Sequence, residues 1–119
     1  MAEAIARGRF LRIGPRKMRL IADLIRGKRV AEARDILQFS EKKAGPIIGK
    51  LLDAAAANAE HKAMEREARI DPDEMIVSQI LVDGGPVMKR VRPASRGRRV
   101  LIRKRTSHVT LVIDEKEGE

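Results

Sequence analysis

The sequence contains no cysteine, tryptophan or tyrosine, and its only aromatic residues are Phe10 and Phe39. Without cysteine the chain has no disulfide framework, no thiolate chemistry and no cysteine-based zinc site. Its two histidines do not make a metal site on their own, so we predict neither a bound metal nor another cofactor. The scarcity of aromatic residues also disfavours the class of modules that read single-stranded RNA by stacking bases on aromatic platforms.

Long apolar runs are missing as well. No segment approaches the roughly 18 consecutive apolar residues of a membrane span, and no signal-peptide core opens the chain. We therefore expect one cytoplasmic domain over residues 1–119, without a membrane partner. Glycine-rich phosphate loops, the zinc-protease motif and a nucleophile with its base are not found at credible spacing. The sequence thus predicts a protein that is not an enzyme, with no catalytic residue and no small-molecule substrate.

Acidic residues are absent from one long stretch, Gly84 to Ile113, which holds nine Lys or Arg and no carboxylate. Its middle, Pro86 to Gly97, has too few apolar residues and too many turn formers to be buried. The flanking segments, Met75 to Val82 and Val100 to Ile113, are typical of strands. This pattern predicts one long β-hairpin with a basic extended arm at about residues 83–104. Because a solvated loop would carry both signs of charge, the arm favours contact with a polyanion.

Positive charge comes from two separate segments. Residues 1–29 carry nine basic and two acidic groups, whereas residues 30–74 carry seven basic and ten acidic groups, and the formal charge of the chain is +9. If the fold brings the two basic segments to one side, they make a single footprint for nucleic acid. Arginine outnumbers lysine in the arm, and its planar fork suits phosphate and base contact. The candidate RNA-binding residues are Arg7, Arg9, Arg12, Arg16, Lys17, Arg19, Lys89, Arg90, Arg92, Arg96, Arg98, Arg99, Arg103, Lys104 and Arg105.

Periodicity and turn residues predict the elements around these segments. Residues 2–13 alternate as a strand, with Ala4, Ala6, Gly8 and Phe10 expected on one face. Helices are predicted over residues 15–26, between Gly14 and Gly27, over residues 30–39, and from Ser40 or Gly45 to about residue 66. Asn58, among alanines, is expected to satisfy a backbone group or a neighbouring loop. We predict an α+β fold in which a small antiparallel sheet packs against three helices and carries a long extended β-hairpin.

Six motifs in register resemble one ribosomal family over nearly the whole length. They are residues 14–20 (GPRKMRL), 24–28 (LIRGK), 56–60 (AANAE), 83–90 (DGGPVMKR), 97–98 (GR) and 104–108 (KRTSH). The chain is similar to the family of large ribosomal subunit protein twenty-two, of the bacterial type. The arm departs from the family pattern at Ala94, Arg99 and Val100.

The resemblance implies a structural protein that binds large-subunit ribosomal RNA and supports subunit assembly. Its other implied partners are neighbouring ribosomal proteins and the nascent polypeptide, because the family's hairpin lines the peptide exit tunnel. The motif at residues 104–108 adds Thr106 and His108 to the RNA-binding candidates. Met88, Lys89 and Arg90 match the family's tunnel-lining hairpin tip.

The alternative from the residues is a basic DNA-binding protein or another RNA-binding protein. Two short helices over residues 15–39 form a loose helix-turn-helix pattern. Its second helix carries Glu32 and Asp35, which are poor groups to present to a DNA groove. RNA is therefore the favoured nucleic acid.

Overall fold

The computed structural model describes residues 3–66, 70–93, 97 and 99–115, with the backbone alone at Met88, Arg90, Arg92, Pro93, Arg99 and Val100. Its order of elements confirms the α+β prediction of three helices, a small antiparallel sheet and a hairpin. The elements are β1 (Glu3–Leu11), α1 (Pro15–Ile25), α2 (Val30–Gln38), α3 (Ala44–Glu65), a 3₁₀ turn (Pro72–Glu74), β2 (Ile76–Gly84), β3 (Met88–Pro93), β4 (Arg99–Lys104) and β5 (Ser107–Asp114).

The main sheet has three strands in the order β1, β5, β2, and both pairings are antiparallel. In the central strand Val109, Leu111 and Ile113 are buried on one face of the sheet. The helices cover this face, because their apolar stripes have the 3.6-residue period of one helix side. Their fully or almost fully buried residues include Met18, Ile21, Ala22, Ile25, Val30, Ala33, Ile48, Leu52, Ala55 and Ala59.

Glycine and proline set the helix ends near the predicted positions. Pro15 is the first residue of α1, and Gly14 precedes it with an extended backbone. Gly27 follows α1 with a φ of +80°, a left-handed conformation that glycine adopts without strain. The third helix begins at Ala44, so the later of its two predicted starts is confirmed. Pro46 then lies in the first turn, where its missing N–H costs no helical hydrogen bond.

Helix side chains cover the free edge of β1. The Asn58 amide Nδ2 donates to the carbonyl of Ile5 at 2.9 Å, as its predicted backbone role requires. One turn further along α3, the Lys62 Nζ donates to the carbonyl of Glu3 at 2.8 Å. Exposed strand edges invite pairing with other chains, and these donors occupy two of the carbonyls that would accept such a strand.

The edge of β2 is covered in the same way, by arginines of and just after α1. Arg19 Nη2 donates to the carbonyl of Val82 at 3.0 Å, and Arg26 Nη2 donates to the carbonyl of Ile80 at 2.8 Å. At the other end of β2, the backbone of residues 27–28 exchanges two hydrogen bonds with Val77. Both edge strands of the main sheet are therefore fastened to the helical layer.

The predicted position of Phe10 on the inner face of β1 is wrong. Ala4 and Ala6 are buried as expected, but the β1–β5 register shifts between Gly8 and Leu11. Phe10 lies in this bulge with a φ of +55°, and its side chain is 62% exposed. A bulge inserts an extra residue and re-aims the side chains around it, which is why simple alternation fails here.

The hairpin arm is a separate sheet of two strands, β3 and β4, which pair with each other. Each strand has six residues, so the paired region is about 20 Å long at roughly 3.3 Å per residue. The molecule measures 66 × 26 × 18 Å along its principal axes. Within residues 100–113, predicted to be strand, β4 of the arm ends at Lys104 and β5 of the main sheet begins at Ser107.

A compact joint, formed by Gly85, Pro86, Arg105 and Thr106, connects the arm to the main sheet. The Gly85 N–H donates to the carbonyl of Thr106 at 3.0 Å. Pro86 has no N–H to continue the ladder, and its carbonyl instead accepts the Thr106 hydroxyl at 2.7 Å. Proline thus interrupts the strands, and a side-chain hydrogen bond replaces the missing backbone pairing.

Gly85 has no room for a side chain. A Cβ at this position would lie 2.5 Å from Thr106 Oγ1 and 3.2 Å from His108 Nε2. Thr106 is only 3% exposed, so its hydroxyl has little space to move away. The close approach of the two chains at the joint therefore depends on glycine.

We predict that Gly85→Ala lowers the free energy of unfolding by about 1–3 kcal/mol, because overpacking at the joint displaces Thr106. Urea unfolding of the purified chain measures this. Adding Thr106→Ala removes the clashing oxygen and should recover part of the loss.

The matched control is Gly49→Ala within α3, where no described atom lies within 4 Å of the added Cβ. That substitution should stabilise the protein by about 0.5–1 kcal/mol, since alanine favours helix over glycine. A Gly85→Ala protein as stable as the wild type would show that the joint does not depend on glycine.

Candidate RNA interface

The two basic segments meet at the joint. A Cβ on Gly14, just before α1, would lie 3.7 Å from the Cβ of Arg105. On the same side, a Cβ on Gly84 would lie 3.7 Å from Pro15 Cγ. The fold therefore brings the basic N-terminal segment and the base of the arm into contact, as the single-footprint prediction required.

The cations of this region, which we call the basic face, are exposed. On the globular part they are Arg7, Arg9, Arg12, Arg16, Lys17 and Arg19, and on the arm they are Lys89, Arg103, Lys104 and Arg105. Among the residues that the structure describes, none of these side chains lies within 4.0 Å of a carboxylate. The carboxylates that the structure describes do not neutralise their charge, which suits a surface that meets a polyanion.

Three other arginines, Arg26, Arg29 and Arg34, differ from these because each lies within 4.0 Å of at least one carboxylate. Arg34 lies 2.9 Å from Asp73 and 3.2 Å from Asp53. The hydrogen bond that Arg34 donates to Asp73, ahead of the opposing cost of burial, raises the pKa of Arg34, so this side chain stays ionised. Further pairs join Arg26 to Asp23 and Arg29 to Glu32 and Glu74. We call this surface the paired face.

The arm residues lie in defined register. Lys89 pairs with Arg103, and Val91 pairs with Leu101. All four of these side chains are exposed, with Val91 60% and Leu101 50% exposed despite being apolar. Of the other predicted arm residues, Arg90, Arg92 and Arg99 are described by their strand backbone, whereas Arg96 and Arg98 lie outside the described residues.

Met88, Lys89 and Arg90 do not form the tip of the arm. They pair with Lys104, Arg103 and Ile102, at the end of β3 that adjoins the joint. The pairing of β3 with β4 continues beyond them to Pro93 and Arg99. Their predicted position is therefore corrected to the proximal half of the arm, because the six-residue strand extends past them.

Three further candidates, Thr106, His108 and Arg19, make contacts within the protein. The Thr106 hydroxyl is buried and donates to Pro86, so it is engaged within the protein. His108 Nδ1 accepts a hydrogen bond from the Phe10 N–H at 3.1 Å, and the two rings meet edge to face with centroids 4.9 Å apart. Arg19 is also used internally, because it covers the edge of β2. These three residues position the elements that carry the basic face.

A shallow cleft of about 380 Å³ lies where β1 runs beside β5. Sequence reasoning missed this feature, because the cleft depends on the bulge at Phe10. Proline directly after Gly84-Gly85 was the one available signal for the neighbouring joint, since proline interrupts central strand pairing. The lining residues of the cleft are Arg7, Gly8, Arg9, Phe10, His108, Val109 and Thr110.

Comparison with known proteins shows that this is a ribosomal protein of the large subunit. Large ribosomal subunit protein uL22 of Desulforamulus reducens is 48% identical over 117 residues, which cover 98% of this chain and 99% of that protein. The protein of the same name from Desulfitobacterium hafniense strain Y51 is 49% identical, with 98% of each chain covered. The one from Syntrophus aciditrophicus is 47% identical, covering 96% of this chain and 99% of that protein.

The family follows from the same comparison. The sequence model of the family described as ribosomal protein L22p/L17e matches residues 6–114, and the chain belongs to that family. This confirms the resemblance found in the sequence motifs. The family is one of ribosomal structural proteins, not an enzyme family, and it places the chain in the cytoplasmic ribosome. Within the part of the chain that the structure describes, no helix is long and apolar enough to cross a membrane.

Proposed function

We propose that the chain binds large-subunit ribosomal RNA through its basic face, supports assembly of the subunit and lines the nascent-peptide exit tunnel with its arm. One observation carries this proposal: two segments of unpaired positive charge converge at the joint from which the arm extends. In this view residues 1–119 act as one RNA-binding unit, with the arm at about residues 83–104. Its partners are ribosomal RNA, neighbouring ribosomal proteins and the nascent polypeptide.

Charge distribution supports RNA as the main partner of the basic face. Arginine and lysine that lack internal carboxylates retain their full attraction for phosphate. On the paired face the same residue types already have internal partners, such as Asp53 and Asp73 beside Arg34. We therefore expect RNA to meet the basic face and the cations of the paired face to contribute less to binding.

The construction of the arm supports a role inside a surrounding particle. Two strands alone are too thin to bury a core, and isolated hairpins are marginally stable in water. The apolar side chains of Val87, Val91 and Leu101 are about half exposed or more. Such side chains gain burial when RNA and nascent chain surround them, which favours the arm as the tunnel element.

The carboxylates exposed on α2 disfavour reading of a DNA groove by this helix. Glu32 forms an ion pair with Arg29, and Asp35 is exposed on the same helix. A recognition helix that presents carboxylates would repel the phosphates beside the groove.

We predict that substituting Arg7, Arg9, Arg16 and Lys17 together by glutamine flattens the salt dependence of binding to large-subunit ribosomal RNA. The slope of log K against log salt is negative. Each phosphate that the variant no longer neutralises should reduce the magnitude of this slope by roughly 0.7–0.9. Filter binding over a range of salt concentrations measures the slope.

The charge-matched control substitutes Lys42, Lys43, Lys50 and Arg66, four exposed cations from the segment whose acids outnumber its bases. This variant has the same net charge as the first, and its slope should change little. Equal slopes for the two variants would mean that only net charge matters and that the basic face is not the interface.

The tunnel role predicts that the arm contacts the nascent chain. A photoreactive group attached at Lys89 should crosslink to a nascent peptide held on translating ribosomes, because this side chain is exposed on the arm. The same group at Lys42, in the segment between α2 and α3, should capture little. A nascent-chain crosslink at Lys42 and not at Lys89 would refute the tunnel role, while leaving RNA binding intact.

A further inference from the structure

Phe10 is an aromatic side chain placed among cations. It is one of two aromatic residues in the chain, and 62% of it is exposed. Its φ of +55° is a conformation that residues other than glycine rarely adopt. The bulge in β1 therefore presents a ring to the outside that regular alternation would have turned inward.

The ring is held in place from one side. It meets the His108 ring edge to face at 88°, and the Phe10 N–H donates to His108 Nδ1 at 3.1 Å. The His108 ring in turn lies against Gly85, since a Cβ there would be 3.2 Å from Nε2. A ring fixed in this way loses little freedom when a ligand packs on it, which favours binding.

Arginines surround the exposed ring. Arg7 and Arg9 line the same cleft of about 380 Å³, and Arg12 is exposed two residues after Phe10. No described carboxylate lies within 4.0 Å of these three guanidinium groups. The cleft thus offers an aromatic surface beside positive charge, and its ligand should combine a flat apolar group with an anion.

We propose that Phe10 is a stacking platform for one unpaired nucleotide of RNA, with Arg7 and Arg9 neutralising the adjoining phosphates. A nucleotide supplies both the flat base and the anion, and base–aromatic stacking tolerates any base. This inference rests on the proposed binding to ribosomal RNA and adds a defined contact to it. It also revises the expectation from composition that aromatic stacking has no part in binding.

Phe39 shows that exposure alone does not make such a platform. It is 81% exposed after the end of α2, in the segment where ten acidic residues outnumber seven basic ones. Its near neighbours in sequence carry both signs of charge, with Asp35 and Glu41 beside Lys42 and Lys43. A nucleotide at this position would meet carboxylates as well as cations, so Phe39 serves as the matched control.

The absence of tryptophan and tyrosine allows a direct test. Phe10→Trp and Phe39→Trp each introduce a single fluorophore, whose emission is quenched when a nucleobase stacks on it. The probes are a transcript of large-subunit ribosomal RNA and inorganic polyphosphate, a polyanion without bases. We expect the ribosomal RNA to quench Phe10→Trp strongly, polyphosphate to leave it bright, and neither to quench Phe39→Trp.

Affinity gives a second readout that does not depend on tryptophan. Phe10→Leu should weaken binding to the same RNA by about fivefold or more, whereas Phe10→Tyr and Phe39→Leu should bind as the wild type does. Because the Phe10 side chain lies outside the core, Phe10→Leu should still fold and unfold cooperatively in urea, with only the ring contact to His108 lost.

The outcomes separate the platform from the RNA binding on which it rests. Normal RNA affinity of Phe10→Trp with unchanged emission would overturn the platform and leave the proposed RNA binding standing. Equal quenching by polyphosphate would also overturn it, because the contact would then not involve a base. Failure of the wild type to bind the RNA would refute the proposed function, and the platform with it.

Discussion

The hydrogen bonds across the joint fix how the arm leaves the main sheet, and the position of the basic face depends on them. Gly85 lets the two chains approach, and Thr106 replaces with its hydroxyl the pairing that Pro86 cannot provide. Through these few contacts the main sheet continues into the arm, and α1 is placed against Arg105. A change at the joint would therefore alter the direction of the arm and the continuity of the basic face together.

Electrostatics then divides the exposed cations into two groups. Arg26, Arg29 and Arg34 are held by carboxylates, as Arg34 is by Asp53 and Asp73. Cations around the joint and along the arm have no such partner among the described residues. One chain of net charge +9 thus presents a directed positive surface.

Local patterns predicted the elements whose form depends on neighbours in sequence. Gly14 and Gly27 indicated the bounds of α1, and the absence of acids indicated the character of the arm. Asn58 was expected to bind backbone because it interrupts a run of alanines, and it donates to Ile5. The family was also accessible, since its motifs lie in register along the chain.

Features that arise from distant pairing were not predictable in this way. Phe10 and His108 are 98 residues apart, and only the β1–β5 register shows that a bulge turns Phe10 outward. Motif matching likewise identified Met88 to Arg90 without showing how far along the arm they lie. The division of Val100 to Ile113 into two strands depends on Pro86, which lies opposite Thr106 between β2 and β3. Each miss thus reflects a contact between residues far apart in the chain.

A density map of a large ribosomal subunit that contains this chain would decide whether the basic face is the RNA interface. We expect Arg7, Arg9, Arg16 and Lys17 to face ribosomal RNA, and β3 and β4 to pass between RNA segments. Arg29 and Arg34 should keep their carboxylate partners on the outer side. An arm folded back on the helices, or RNA bound to the paired face instead of the basic face, would contradict this orientation.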